Sequence, residues 1–227
     1  MASKHIALVL SGCGVFDGTE IYEAVLAILA LMRKGYEIEF LAPDIPQAHV
    51  FNHLEGTDTP GEERNVLVEA ARLARGKIRP LEDAKPEEFD GAVFPGGFGA
   101  AKNLSTFAFD GKDAKVNEQV SEFIRAMHEE KKPLAFFCIA PVVAARALGQ
   151  GVELTIGAEQ QVAAAIEAMG ARHVVKQVHE AHVDETHRVC STPAYMYDAP
   201  ILEVEKGINA CIDEFSTLLA AQPEKAV

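Results

Sequence analysis

The sequence lacks the cysteine spacing and the positive charge that mark several common classes of protein. No Cys-x-x-Cys pair occurs in the 227 residues, which excludes a zinc ribbon and a dithiol redox motif. Acidic residues outnumber lysine and arginine by 34 to 21, and the net charge of −13 argues against nucleic acid or an anionic membrane as the main partner. The cysteines are widely spaced, which favours free thiols in a reducing compartment: Cys13, Cys138, Cys190 and Cys211.

Long apolar runs are missing as well. The first apolar run, residues 6–10, is too short for the core of a signal peptide, and glycines follow it at once. No other stretch approaches the roughly 20 residues of a membrane helix. We therefore expect a cytoplasmic protein with no membrane and no nucleic-acid partner.

The chain instead contains an alternation of strand and helix patterns, and hydrophobic residues make up 48% of it. Apolar or alternating runs predict strands at residues 6–10, 37–41, 90–97, 134–137 and 152–156, and a strand pair within 174–195. Helical spacing of apolar residues predicts helices at 21–32, 62–75, 116–128, 142–148, 161–169 and 199–219.

This alternation predicts an α/β fold in which helices cover both faces of a mostly parallel central sheet. We expect residues 1–227 to form a single domain. The turn-rich segment at about residues 44–81 is interpreted as a surface insertion, and residues 222–227 as a frayed tail.

The run Leu134–Pro141 predicts a buried strand, a sharp turn at Cys138 and then a helix. Pro141 suits the first turn of that helix, because its missing N–H would have no helical partner there. A cysteine at the start of a helix lies beside free backbone N–H groups, which favour the thiolate and hence a nucleophile. In a purely structural role the same residue would be a small buried hydrophobe.

Three loops with unusual content follow predicted strands, at residues 12–18, 95–103 and 138–141. Ligands of open α/β sheets bind at the carboxyl ends of the strands, so these loops should converge on a site. Gly96 and Gly97 lack a Cβ and let the backbone approach a ligand closely. Their N–H groups, with that of Ile139, could hold an oxyanion beside the cysteine. Asn103, at the end of its loop, is counted with them as a substrate-binding candidate.

Several segments resemble the DJ-1/PfpI superfamily, which has the class I glutamine amidotransferase-like fold, and in particular its ElbB/ES1 branch. The resemblance extends from about residue 5 to about residue 220 and rests on these segments: Ser11–Ile21, Asn65–Arg72, Ala92–Gly97, Ala101–Leu104, Phe137–Pro141 and Thr192–Met196. It implies a flavodoxin-like three-layer sandwich with a nucleophile elbow at Cys138. It also implies a carboxylate of the first helix near the sulfur. Glu20 and Glu23 are the candidates. Glu23 is preferred because, counted back along the sequence from Gly35, it matches the position of the carboxylate in the family better.

The histidine base of amidotransferases and of PfpI-type proteases is missing. Ile139 follows the cysteine directly, and residues 155–159 lack the histidine that DJ-1 has in that region. Glutamine hydrolysis and proteolysis are therefore disfavoured. Within the superfamily, the remaining cysteine–carboxylate pair implies glyoxalase-type conversion of a small 2-oxoaldehyde, glyoxal or methylglyoxal, to the 2-hydroxy acid. That chemistry needs neither a metal nor an organic cofactor. The resemblance also implies a homodimer.

Other interpretations stay open. Cys138 could be an oxidation sensor in a redox- or stress-responsive, or isoprenoid-associated, regulatory protein. The glycines of residues 12–18 imitate a dinucleotide-binding fingerprint, although Asp17 would repel a pyrophosphate. Cys13 could be a redox partner of Cys138, but packing beside the site is preferred. A late group of side chains could ligate a metal, but a solvated hairpin is expected instead: His173, His179, Glu180, His182, Asp184 and His187.

Overall fold

The computed structural model describes residues 3–221. Its strands, in chain order, are β1 His5–Val9, β2 Glu37–Ala42, β3 Phe51–Asn52, β4 Thr57–Asp58, β5 Ile78–Pro80, β6 Gly91–Phe94, β7 Leu134–Phe137, β8 Glu153–Leu154, β9 Arg172–His173, β10 His182–Asp184 and β11 Val189–Thr192. Within these residues a seven-stranded sheet has the order β10-β11-β7-β6-β1-β2-β5, and its pairs are parallel except β10 with β11.

Helices cover both faces of this sheet. They are α1 Ile21–Arg33, α2 Val66–Ala70, α3 Phe98–Lys102, α4 Phe107–Asp110, α5 Glu118–Glu129, α6 Pro141–Leu148, α7 Gln160–Ala168 and α8 Ile201–Ala220. Helices α1 and α8 pack against each other on one face, and α5 and α6 do so on the other. The arrangement confirms the predicted α/β sandwich with a mostly parallel central sheet.

The apolar run of β1 is explained by burial on both faces. Ile6 and Leu8 belong to the core beneath α1 and α8, whereas Ala7 and Val9 belong to the core beneath α5 and α6. Successive residues of a strand point to opposite faces, so a central parallel strand needs apolar residues at every position. Parallel pairing of β1 with β6 and of β6 with β7 places the carboxyl ends of these strands side by side, where the three predicted loops begin.

The segment predicted as a surface insertion is tied into the sheet by its last residues. Strand β5 pairs in parallel with β2 and forms the edge of the sheet. Its three residues end in Pro80, which an edge strand tolerates because one side has no partner. The helix predicted at 62–75 is shorter, since α2 ends at Ala70 and turns lead to Arg75, which has a φ of 53°.

Other boundaries differ locally from the prediction. The strand predicted at 152–156 is reduced to β8, which pairs with β9 in a separate two-stranded sheet. Helix α3 begins at Phe98, within a stretch predicted as a loop. The prediction for residues 222–227 lies outside the described residues. Among residues 3–221, no helix combines the length and the hydropathy that a membrane span requires.

Candidate active site

The chain turns sharply at Cys138, between β7 and α6. Cys138 has a φ of 55°, in the left-handed region that non-glycine residues rarely occupy. Its N–H still donates to the carbonyl oxygen of Thr192 at 3.0 Å, as if β7 continued. Cys138 is 8% exposed, and it lines a cavity at the carboxyl edge of the sheet. The sharp turn predicted at Cys138 is therefore present, and α6 begins at Pro141.

The carboxyl group that contacts the Cys138 sulfur belongs to Glu23. Glu23 has no exposed surface, and its side chain is hydrogen-bonded to Cys138. Its Oε2 accepts the N–H of Gly96 at 2.8 Å, and its Oε1 accepts the N–H of Tyr195 at 3.2 Å. Of the two glutamates considered from the sequence, Glu23 is therefore the one that the fold places against the thiol.

Glu20 has a different position, at the N-cap of α1. Its ψ of 120° is non-helical, and its Oε2 accepts the N–H of Glu23 at 2.7 Å. This is the usual geometry of a capping side chain, which turns back toward the free N–H groups of the first turn. Glu20 also lines the cavity, where burial raises the pKa of its carboxyl. Glu20 thus contributes an acidic group to the cavity lining, and its side chain contacts Glu23 at the backbone N–H.

Backbone N–H groups surround the sulfur. Those of Gly97 and Ile139 are hydrogen-bonded to the Cys138 sulfur and act to lower its pKa. The N–H of Gly96 is taken by Glu23, so Gly96 positions the carboxyl. Gly97 has a φ of 91°, and a Cβ there would overlap the backbone of Glu20. Of the three N–H donors predicted from the sequence, Gly97 and Ile139 thus face the sulfur, and Gly96 does not.

The electrostatics of the pair are dominated by burial. Desolvation, and then the charge of Glu20, raise the pKa of Glu23 to about 8. Desolvation and the Glu23 charge likewise raise the pKa of Cys138, and the N–H groups of Gly97 and Ile139 offset this only in part. The expectation that the helix start favours the thiolate is therefore wrong for the resting site. Burial therefore favours the protonated forms of both groups, and the charge of Glu23 links the ionisation of Cys138 to its own.

Asn103 does not reach the cavity lining. Its Nδ2 donates to the carbonyl oxygens of Ser11 at 2.9 Å and Asp17 at 2.8 Å, and its Oδ1 accepts the N–H of Ala48 at 2.9 Å. The side chain is 7% exposed. These bonds occupy both N–H groups of the amide and hold the first glycine-rich loop to the segment after β2. The structure thus gives Asn103 a bracing position, separate from the sulfur.

The cavity beside Cys138 has a volume of about 360 Å³. Its walls come from loops and helices far apart in the sequence, and they include Val15, Phe98, Phe107, Val162 and Met196. The sequence patterns indicate no role for these residues. Tyr195 was also missed as a donor to Glu23, although the segment that contains it was recognised as typical of the branch.

The first glycine-rich loop is filled by the protein itself. A Cβ at Gly14 would lie 2.7 Å from the ring of His53 and 2.9 Å from Oδ1 of Asp17. Asp17 is buried, and its Oδ2 accepts the N–H of Phe51 at 2.8 Å. The glycines therefore permit close packing inside the protein, which accounts for the pattern without a pyrophosphate. Cys13, in the same loop, is half-buried, and burial raises its pKa.

Three of the four late histidines, His173, His182 and His187, are each paired with a carboxylate or a backbone group. Nε2 of His182 lies 3.0 Å from Glu153, and Nδ1 of His187 lies 2.7 Å from Asp184. Nε2 of His173 accepts the N–H of Ile156 at 3.4 Å. No cluster of three or more histidine, cysteine or acidic side chains suited to a metal ion occurs in residues 3–221. No histidine of that range lines the cavity either.

Comparison with known families agrees with this geometry. The DJ-1/PfpI family matches residues 13–192, a span that runs from the first loop to the end of β11 and includes the elbow. The chain belongs to the DJ-1/PfpI family.

Similar relatives place this DJ-1/PfpI chain in the ES1 branch. The human glutamine amidotransferase-like class 1 domain-containing protein 3, mitochondrial, is 51% identical over 92% of the chain and 81% of the human protein. The rat ES1 protein homolog, mitochondrial, is 50% identical over the same shares. The crystal structure of an isoprenoid biosynthesis protein with an amidotransferase-like domain from Ehrlichia chaffeensis is 36% identical, with a TM-score of 0.87 over 94% of this chain and 99% of that one.

A more distant structural likeness extends to an enzyme. Glyoxalase III from Candida albicans has a TM-score of 0.61 over 97% of this chain and 98% of that one, at 12% identity. This likeness shows a shared fold. The human and rat names also correct the expected location, since both relatives are mitochondrial proteins. The short apolar run at residues 6–10 was therefore no basis for predicting a cytoplasmic protein.

Proposed function

We propose that this ES1-branch chain is a glyoxalase-type enzyme that converts glyoxal or methylglyoxal to the 2-hydroxy acid without a cofactor. The observation that carries the proposal is the hydrogen bond between the buried carboxyl of Glu23 and the thiol of Cys138. A carboxyl with a pKa of about 8 can both accept and return a proton near neutral pH. Perturbed pKa values beside a cavity are typical of functional sites.

The first step is addition of Cys138 to the aldehyde. Glu23, in its carboxylate form, takes the thiol proton while the sulfur bonds to the aldehyde carbon. The aldehyde oxygen becomes the hydroxyl of a hemithioacetal when it receives that proton. The N–H groups of Gly97 and Ile139, which are hydrogen-bonded to the sulfur in the resting site, would donate to the oxygen as its charge develops.

The second step moves a proton between the two carbons of the substrate. Glu23 removes the proton from the carbon bonded to sulfur, which gives an enediol, and returns it to the neighbouring carbon. The product is a thioester of the 2-hydroxy acid. Water then cleaves the thioester, releasing glycolate or lactate and restoring the thiol. The overall change adds one water molecule to the dialdehyde or ketoaldehyde and requires no external oxidant or reductant.

Three variants test this proposal. Purified protein should turn over glyoxal or methylglyoxal, and Cys138→Ala should abolish that turnover. Glu23→Gln should lower kcat by about 10² to 10⁴, the usual contribution of a positioned acid–base group. Cys13→Ala, at the half-buried thiol of the first loop, is the matched control and should retain activity. Turnover by Cys138→Ala equal to that of the wild type would reject the proposal, as would a wild type inactive on every 2-oxoaldehyde.

A redox sensor at Cys138 is the second candidate, and one observation favours it. Cys138 opens onto a cavity, whereas Cys190 and Cys211 have no exposed surface. The raised pKa of Cys138 argues against it, because the thiolate is the form that peroxide oxidises. Peptide mapping after mild peroxide treatment decides the matter. A sensor requires oxidation of Cys138 ahead of Cys13, and the reverse order would remove this candidate.

A further inference from the structure

The cavity beside Cys138 is larger than the smallest 2-oxoaldehydes need. Its volume is about 360 Å³. At about 30 Å³ per water molecule, this corresponds to roughly twelve solvent-sized groups. Glyoxal and methylglyoxal, by contrast, have four and five non-hydrogen atoms. A substrate that fills the cavity must therefore carry a side chain considerably longer than a methyl group.

The chemistry of the walls limits what that side chain can be. Apart from Glu20, Cys138 and Tyr195, the described residues that line the cavity are apolar. Phe98, Phe107 and Val162 come from three separate helices and enclose the space from different sides. Burial of apolar groups against such walls is favourable in proportion to their area, whereas a polar group without a partner is disfavoured there.

Charge in the lining acts against anions. Within residues 3–221, the lining contains no lysine, arginine or histidine, and Glu20 is its acidic residue. The fully buried Glu23 lies directly behind the thiol. A carboxylate or phosphate on the substrate would lose its hydration beside the carboxyl group of Glu20, and no cationic side chain of the lining would compensate for that loss.

We propose that the site takes 2-oxoaldehydes that carry an uncharged, apolar side chain of several carbon atoms, in preference to glyoxal itself and to anionic substrates. The inference rests on the proposed glyoxalase-type function and specifies its substrate class. Phe98, Phe107 and Val162 would be the specificity-determining residues, and Glu20 the residue that excludes anions.

Turnover of a homologous series tests the apolar part. The substrates are methyl-, propyl- and pentylglyoxal, whose reacting carbonyl groups are alike. We expect kcat/KM to rise about three- to fourfold per buried methylene until the cavity is full, and by about tenfold or more across the series. Val162→Phe, which fills the cavity, should abolish the rise of kcat/KM with the length of the substrate side chain. Ala164→Phe, on the exposed side of the same helix, is the control and should leave it unchanged.

A second cavity-filling variant guards against misfolding of the first. Ala108 lines the mouth of the cavity and is exposed, so Ala108→Phe should fold and should also flatten the series. A series in which kcat/KM is level or falls from methyl- to pentylglyoxal in the wild type overturns the inference while leaving the proposed function intact.

Alkylation of Cys138 tests the charge preference without any turnover. The probes are iodoacetamide, N-phenyliodoacetamide and iodoacetate, and the rate at Cys138 is read by peptide mapping and divided by the rate with glutathione. We expect the aromatic amide to react at least about tenfold faster than iodoacetate on this normalised scale. Glu20→Gln, whose side-chain oxygen can still accept the N–H of Glu23, should reduce the ratio of these two alkylation rates.

The two arms separate the possible failures. Selective alkylation in a protein that turns over no 2-oxoaldehyde would reject the proposed function and keep the assignment of the cavity. Equal normalised rates for the three reagents, unchanged by Glu20→Gln, would reject the assignment of the cavity whatever the turnover shows.

Discussion

The buried carboxyl of Glu23 is hydrogen-bonded to the thiol of Cys138, although the two residues are far apart in the sequence. Glu23 lies in the first turn of α1, which follows the loop after β1. Cys138 lies in the turn after β7. Gly96 lies between them and donates its N–H to Glu23. The charge of Glu23 raises the pKa of Cys138, whereas the hydrogen bond from the thiol lowers the pKa of Glu23, so the ionisation of each group depends on the state of the other.

The first prediction is a rise of activity with pH. The active form of the pair has lost one proton, so kcat/KM should increase as the pH rises through about 8, the pKa of Glu23. Initial rates across this range, on a substrate that does not itself ionise, measure the effect. Glu23→Gln should show low activity without the inflection. If this variant kept the same inflection, the inflection would have to arise from the titration of another group.

The second prediction concerns stability. The folded-state pKa of Glu23 is about 8, against an ordinary value of 4.5, so the folded protein binds one more proton than the unfolded chain between these values. The extra bound proton stabilises the folded protein. This contribution to the free energy of unfolding is fully present below about pH 4.5 and is lost as the pH rises through about 8, by up to about 1.4 kcal/mol per pH unit. The wild type should therefore lose stability relative to Glu23→Gln as the pH rises.

Urea unfolding of both proteins at several pH values in this window measures that difference. Titratable groups that do not interact with Glu23 contribute equally to both proteins and cancel. The total change should be at most about 5 kcal/mol, and less if Cys138 takes part of the titration. A difference in unfolding free energy that is constant with pH would show that Glu23 is ionised in the folded protein.

The parts of the site that were predictable depend on local patterns. Four apolar residues, a cysteine and Pro141 determine the strand, the elbow and the helix, because each preference acts within a few residues of the chain. The position of Glu20 at the N-cap also has a local cause, since its extended backbone directs its side chain to the N–H of Glu23. The helical register alone could not show which glutamate occupies the cap.

The parts that were not predictable depend on contacts between distant segments. The N–H of Tyr195 reaches Glu23 because the chain turns at Ala194, which has a φ of 44°. Alanine gives no sequence signal for that conformation. The raised pKa of Cys138 depends likewise on burial by the whole fold, whereas a cysteine at a helix start favours the thiolate when read alone.

The third prediction is that Gly96→Ala disrupts the pair. A Cβ at position 96 would lie 2.5 Å from Cβ of Cys138 and 2.9 Å from Oε2 of Glu23, so the elbow or the carboxyl must move. Displacement of a catalytic group by about 1 Å can lower the rate about 10²-fold, and we expect a loss of kcat of that order. Gly56→Ala is the control, because a Cβ there meets no atom within 4 Å.

Gly56 has a φ of 69°, so its replacement should reduce stability slightly through backbone strain and leave kcat unchanged. Activity assays and thermal unfolding of both variants separate the two effects. A Gly96→Ala protein with wild-type kcat would show that the approach of Gly96 to the thiol is not required for the reaction.

The fourth prediction distinguishes a bracing role of Asn103 from the substrate-binding role suggested by the sequence. Asn103→Ala removes hydrogen bonds to Ser11, Asp17 and Ala48 and leaves buried backbone groups unpaired. Each unpaired group costs about 1 to 3 kcal/mol, so the free energy of unfolding should fall by several kcal/mol. Well below its unfolding temperature, the variant should retain KM for methylglyoxal within about twofold, because its amide makes no contact with the cavity. A large rise of KM with unchanged stability would instead place Asn103 in contact with the substrate.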